Sequence, residues 1–189
     1  MRAGQGVIAA AVALALAGCG GEPPPAVAYD LILDAQGVVF AGDDASYARF
    51  PFGSPRTEIE RAAGVLYGDA TALRSVSRVC EAGPMAFTSY GAIQLAFRDD
   101  ALVGWTMRRG AAAAADGSIA PGISRAQLER LTAIHMVPDR SRSGEFAYRT
   151  PAGAIHGVLA GSGPEARVEA LFAGTVCTPD QSVNSNEKT

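Results

Sequence analysis

The side chains that could do chemistry are few and widely spaced along the 189 residues. Three are the cysteines Cys19, Cys80 and Cys177, and two are the histidines His135 and His156. A thiolate can serve as nucleophile, metal ligand or half of a disulfide, and an imidazole can bind metal or move protons. Spacing decides among these roles. There is no C-x-x-C pair and no histidine close to a cysteine, so zinc has no ligand pattern. H-E-x-x-H and G-x-S-x-G are both absent. His135 is expected to end a helix, where an imidazolium suits the helix dipole. His156 is expected in a strand, and both histidines read as structural or solvent-facing. Asp43-Asp44 and Asp99-Asp100 could pair their carboxylates on calcium or on a proton, but both sit in turn settings. Trp105 falls at an alternating strand position and belongs to the core. No catalytic residue, metal ligand or cofactor is expected.

Cys19 has a different context. Arg2 gives a short positive start, and Val7 to Ala17 is continuously apolar, too short for the ~20 residues a bilayer span needs. A charged start, a short apolar core and a small-residue exit describe a secretory signal. The exit, Leu16-Ala17-Gly18-Cys19, resembles the lipobox of bacterial lipoproteins. That resemblance implies a signal peptide over 1–18 and a lipid on Cys19. With Gly20 rather than aspartate next, it also implies an anchor in the outer membrane, facing the periplasm. In that oxidising compartment the two remaining cysteines are expected to pair as Cys80–Cys177. A bridge closing a loop of about 100 residues contributes about 4–5 kcal/mol on the loop-entropy model.

The formal net charge is −3 and there is no basic run, which argues against a nucleic-acid partner. Residues 19–28, rich in Gly and Pro, read as a tether, and the polar residues 178–189 as a disordered tail. Between them the chain repeats itself. Phe52 to Arg61, "FGSPRTEIER", matches Pro121 to Arg130, "PGISRAQLER", and "GAIQLAF" from Gly91 matches "GAIHGVL" from Gly153. Two matches in the same order argue for a duplicated unit. The first unit, with a leading hairpin, takes 29–110, a linker takes 111–117, and the second unit takes 118–177.

Each unit reads as a helix followed by strands. Ser54 is the expected N-cap of the first helix, with Pro55 at its first position, and Ile59, Ala62, Ala63 and Leu66 share one face. Ser124 and Gln127 form a capping-box pattern for the second. Its apolar stripe runs from Leu128 through Leu131 to Ile134 or His135, and Pro138 stops it. Strands are expected at Val76 to Cys80, Met85 to Tyr90, Ile93 to Arg98 and Leu102 to Arg108. The second unit offers Glu145 to Arg149, Ala154 to Leu159 and Arg167 to Ala173. Tyr29 to Leu33 and Val38 to Phe40 make the leading hairpin. The fold class is α+β: a tandem pair of helix plus antiparallel-meander units, with the helices on one face of the sheet.

That pattern resembles the β-lactamase-inhibitor-protein fold and the small SmpA/OmlA-type outer-membrane assembly lipoproteins. The whole chain also resembles uncharacterised proteobacterial envelope lipoproteins, some labelled aspartate-semialdehyde dehydrogenase. The residues oppose that activity. The nearest string to a dinucleotide fingerprint, Gly161-Ser162-Gly163-Pro164, breaks G-x-G-x-x-G, and no cysteine is free to be a nucleophile. The expected role is a non-catalytic interaction module for an envelope protein; the alternative is a periplasmic hydrolase. Alternation puts Ile93 and Ile155 under the helices and Gln94, Arg98 and His156 together on the uncovered face, the expected binding face. Changing Cys19→Ser should leave the chain unprocessed and without acyl label; normal palmitate labelling of that variant would contradict the anchor.

Overall fold

The computed structural model describes residues 29–42, 47–116, 118–137 and 144–177. The segments expected as signal peptide, tether and tail lie outside the described residues, as do Cys19, Asp43-Asp44 and Pro138.

The protein mixes helix and sheet and is mostly β. Three strands open it: β1 (Tyr29–Asp34), β2 (Gly37–Gly42) and β3 (Tyr47–Pro51). Helix α1 (Arg56–Tyr67) and a 3₁₀ turn (Asp69–Thr71) lead into β4 (Ala72–Ser77), β5 (Met85–Tyr90), β6 (Ile93–Arg98) and β7 (Ala101–Arg108). The short strand β8 (Ala113–Ala115) follows, then α2 (Arg125–Leu131) and β9 (Ile134–Met136), β10 (Glu145–Thr150), β11 (Gly153–Ala160) and β12 (Arg167–Gly174). They form two sheets. The smaller runs β3-β2-β1-β8, with β8 parallel to β1; the larger runs β4-β5-β6-β7-β12-β11-β10-β9, antiparallel throughout.

Side chains alternate between the faces of the large sheet. Ile93, Leu95, Trp105, Leu171, Ile155 and Tyr148 point to one face and are all buried. They share a core with Leu31, Leu33, Val38 and Phe40 of the small sheet, Ile59 and Ala63 of α1 and Leu128 of α2. The helices therefore share their face with a second sheet. Trp105 fixes this packing through its indole N–H, which donates to the Asp34 carbonyl at 2.7 Å. A smaller cluster of Cys80, Met85, Phe87 and Ala96, with Val103 and Cys177 against it, lies on the other face at one end. There the Cys80–Cys177 disulfide joins the β4–β5 connection to the end of the described chain, with Cα atoms 5.4 Å apart.

Several sequence expectations need correction. Ser54 does not cap α1; the helix begins after an extended Pro55 and has no side-chain cap. The backbone there is already paired, since Ser54 accepts from Leu102 N–H and Pro55 bridges Ala101. Ser124 and Gln127 do form the reciprocal capping box. The second helix stops at Leu131, where Thr132 turns extended, and Ile134–Met136 pairs with β10, so His135 lies on a strand. The first meander strand starts at Ala72 and ends at Ser77, while Cys80 enters a turn closed by Gly83 N–H to its carbonyl. The alanine run read as linker holds β8. Asp99 and Asp100 take left-handed φ values of 50° and 55° in the β6–β7 turn.

Gly157 shows how tightly the inner face is filled. A Cβ there would run into the Phe146 ring directly across the ladder and into Leu171. Overpacking of this kind typically costs ~1–3 kcal/mol. Gly157→Val should lose about that much in urea melts, and an unchanged midpoint would contradict this packing.

Candidate functional site on the open sheet face

Residues directly opposed in a ladder share a face, so the printed registers define which side chains stand side by side. Leu73 faces Ser89, Ser89 faces Gln94, and Gln94 faces Thr106. Thr106 faces Phe172, Phe172 faces His156, His156 faces Ala147, and Ala147 faces His135. One unbroken row thus crosses all eight strands on the face away from the main core. None of its members is buried; Leu73 and His135 at its ends are exposed. Beside it runs a second row, Arg108, Ala170, Val158 and Glu145.

Local contacts order the middle of the face. The His156 and Phe172 rings stack at 5.6 Å. Gln94 Nε2 donates to Ser89 Oγ at 3.3 Å. His156 Nδ1 lies 3.8 Å from Glu145 Oε1, is buried, and has no hydrogen-bond partner among the described residues. Of the three residues expected to mark this face, Gln94 and His156 share the row, with Thr106 and Phe172 between them. Arg98 is not with them. It lies four residues further along β6, and its Nη2 donates to the Ala82 carbonyl in the β4–β5 connection. Thr106 and Phe172 were missed because alternation gives their face but not the adjacency of β7 and β12. His135 was missed because its segment read as helix.

Between α1 and the sheet lies a cluster of ionisable side chains built around Glu60. Arg56 Nε donates to Glu60 Oε1 at 2.8 Å, Thr88 Oγ1 donates to the same oxygen at 2.5 Å, and Arg74 Nη2 donates to Oε2 at 2.9 Å. Thr88 Oγ1 in turn accepts from Arg56 Nη2 at 2.9 Å. The Arg56 guanidinium also sits 5.2 Å from the Phe97 ring centre. Burial alone would raise the Glu60 pKa, but the hydrogen bonds from Arg74, Thr88 and Arg56 outweigh it and hold it at about 2. Both carboxylate oxygens are engaged, so the cluster acts as a polar clamp between helix and sheet. Burial, helped by Asp116, pushes the Tyr148 phenol well above its ordinary range, and its hydroxyl has no hydrogen-bond partner among the described residues.

Among the described residues no group of three or more His, Cys, Asp and Glu could hold a metal ion, and no helix is long and apolar enough to cross a membrane. Compared with known families, curated proteins and solved structures, the chain gives no match.

Glu60 makes stability depend on pH. Its folded pKa lies below the ordinary 4.5. Its contribution is therefore present above pH ~4.5 and is lost as pH falls towards ~2, an upper bound of about 3 kcal/mol. Glu60→Gln should be less stable than wild type at neutral pH by roughly 1–3 kcal/mol, with the gap closing in acid. Urea melts between pH ~7 and ~2.5 would show this; a gap that does not change with pH would contradict it.

Proposed function

We propose that this chain is a lipid-anchored outer-membrane lipoprotein facing the periplasm, a non-catalytic interaction module that docks an envelope protein on its open sheet face. The carrying observation is the eight-residue row, none of whose members is buried. Eight strands at ~4.8 Å spacing make a strip about 34 Å long. Two or three positions wide, it offers several hundred Å², approaching the ~800 Å² that one partner gives to a standard protein–protein contact. The face mixes aromatic, amide, hydroxyl and imidazole groups with few charges, a composition suited to the middle of such an interface. The anchor rests on Leu16-Ala17-Gly18-Cys19.

The proposal includes a duplicated scaffold, each half a helix followed by a four-stranded meander. Matching backbone contacts support it. Gly53 N–H donates to Leu102 O as Gly122 N–H donates to Val168 O. Leu102 N–H donates to Ser54 O as Val168 N–H donates to Ile123 O. Arg56 N–H reaches Asp100 O as Arg125 N–H reaches Ala166 O, and the bridge Pro55–Ala101 corresponds to Ser124–Arg167. At the join, Thr106 faces Phe172, flanked by Trp105 with Ala173 on one side and Met107 with Leu171 on the other. A half-turn about that point exchanges the halves and sets Gln94 against His156, Ser89 against Ala147 and Leu73 against His135.

A photo-crosslinking amino acid placed at Thr106 or Gln94 in living cells should capture a discrete protein adduct, while one at Arg61 on the exposed side of α1 should not. Variants at normal abundance that give no adduct from the sheet face, or adducts from α1 alone, would overturn the docking reading.

A further inference from the structure

We propose that strand β4 is where two copies of this chain join, antiparallel and edge to edge, about a two-fold axis through Ser75. The large sheet ends in β4 on one side and β9 on the other, and the small sheet ends in β3 and β8. Three of these edges are blunted in ways common to sheet proteins. β8 and β9 have three residues each, and β3 ends in Pro51. β4 has six residues and no proline. Among the described residues, 73–77 make ladder bonds to β5 alone, so their other side offers free backbone donors and acceptors. Such a row is a template for another strand.

The side chains of this edge are as open as its backbone. Leu73 is 71% exposed on the outer face, and Val76 is 70% exposed on the inner one. Val79, just beyond, is 93% exposed. A charged residue can guard an edge, but the one charge on β4, Arg74, is tied down, its Nη2 held 2.9 Å from Glu60 Oε2 of α1.

The edge fits a second copy of itself. A two-fold that keeps the outer face outer sets one residue of β4 against its own counterpart. Centred on Arg74, it would oppose two guanidiniums; centred on Val76, it would oppose Arg74 to Arg78. Like charges directly opposed are destabilising. Centred on Ser75, it lays 73–77 along its counterpart with no such clash. Leu73 then faces Ser77 and Arg74 faces Val76, each larger side chain meeting a smaller one, and two Ser75 hydroxyls meet at the axis, where they can hydrogen-bond. So short a ladder is small beside the ~800 Å² that each partner gives a standard contact, which makes the pairing weak and reversible. It runs the outer rows of two sheets together, and it stands whether or not that face docks a protein.

The test uses cysteine variants of the full chain, oxidised in cells and read on non-reducing gels, with the wild type setting the background of the native cysteines. Directly opposed residues stand ~4.5–5.5 Å apart at Cα, within reach of a disulfide. Ser75→Cys should therefore give a species of twice the chain's mass, linked at position 75 by mass spectrometry. Leu73→Cys and Ser77→Cys should each stay single, because each lies ~13 Å along the strand from its own counterpart. Expressed together, those two should link to one another. Adding Ser75→Lys to both should abolish that link at unchanged abundance, by placing two ammonium groups at the axis. The pairing would be overturned by a Ser75→Cys chain that stays single or links to a different protein. It would equally be overturned if Leu73→Cys and Ser77→Cys link to themselves as readily as to each other, or if their link survives Ser75→Lys.

Discussion

The pairing of β7 with β12 decides how the molecule is put together. Each is the last strand of a meander, and each would otherwise be an open edge with unpaired backbone groups. Joined, they turn two four-stranded sheets into one of eight and bring Trp105, Met107, Leu171 and Ala173 side by side at its centre. That central strip is what the small sheet packs on. Trp105 sits where its indole N–H meets the Asp34 carbonyl at the β1–β2 turn, so the leading hairpin depends on the join for its position. The helices then close the core on either half, each docked through the backbone contacts at its N-terminus.

The two halves fill the space between helix and sheet by different means. In the first, the small Thr88 opposite Leu95 leaves room for Glu60 and Arg56, which form a hydrogen-bonded clamp. In the second, Phe146 opposite Gly157 fills the inner face, and the α2 pair Arg125–Glu129, at 2.7 Å, stays at the surface. A large residue facing a small one appears in both cases, with the sizes exchanged.

Much of the large sheet was legible because its strands obey alternation between clear turns. Met85–Tyr90 and Ile93–Arg98 have the expected bounds, and Ser124 with Gln127 marked the start of α2 by a side-chain mechanism that does not need tertiary context. Ser54 misled because its backbone is already engaged by Leu102. Ile134–Met136 misled because three residues carry too little periodicity to separate strand from helix, and the free edge of β10 made the choice. An all-alanine run has no pattern at all, so β8 was invisible until β1 lay beside it. On the candidate face, alternation sent Gln94 and His156 outward correctly. That Thr106 and Phe172 lie between them, that His135 joins them and that Arg98 is held by the Ala82 carbonyl all depend on strand pairing, which no local pattern encodes.

Native-state hydrogen exchange tests the dependence on the β7–β12 join most directly. If that join holds both halves in one cooperative unit, its amides exchange slowest, and only through global unfolding. Protection in β5–β6 and in β10–β11 is then lost at the same free energy. Fast exchange in β7 and β12, or one half opening at markedly lower free energy while the other stays protected, would contradict it.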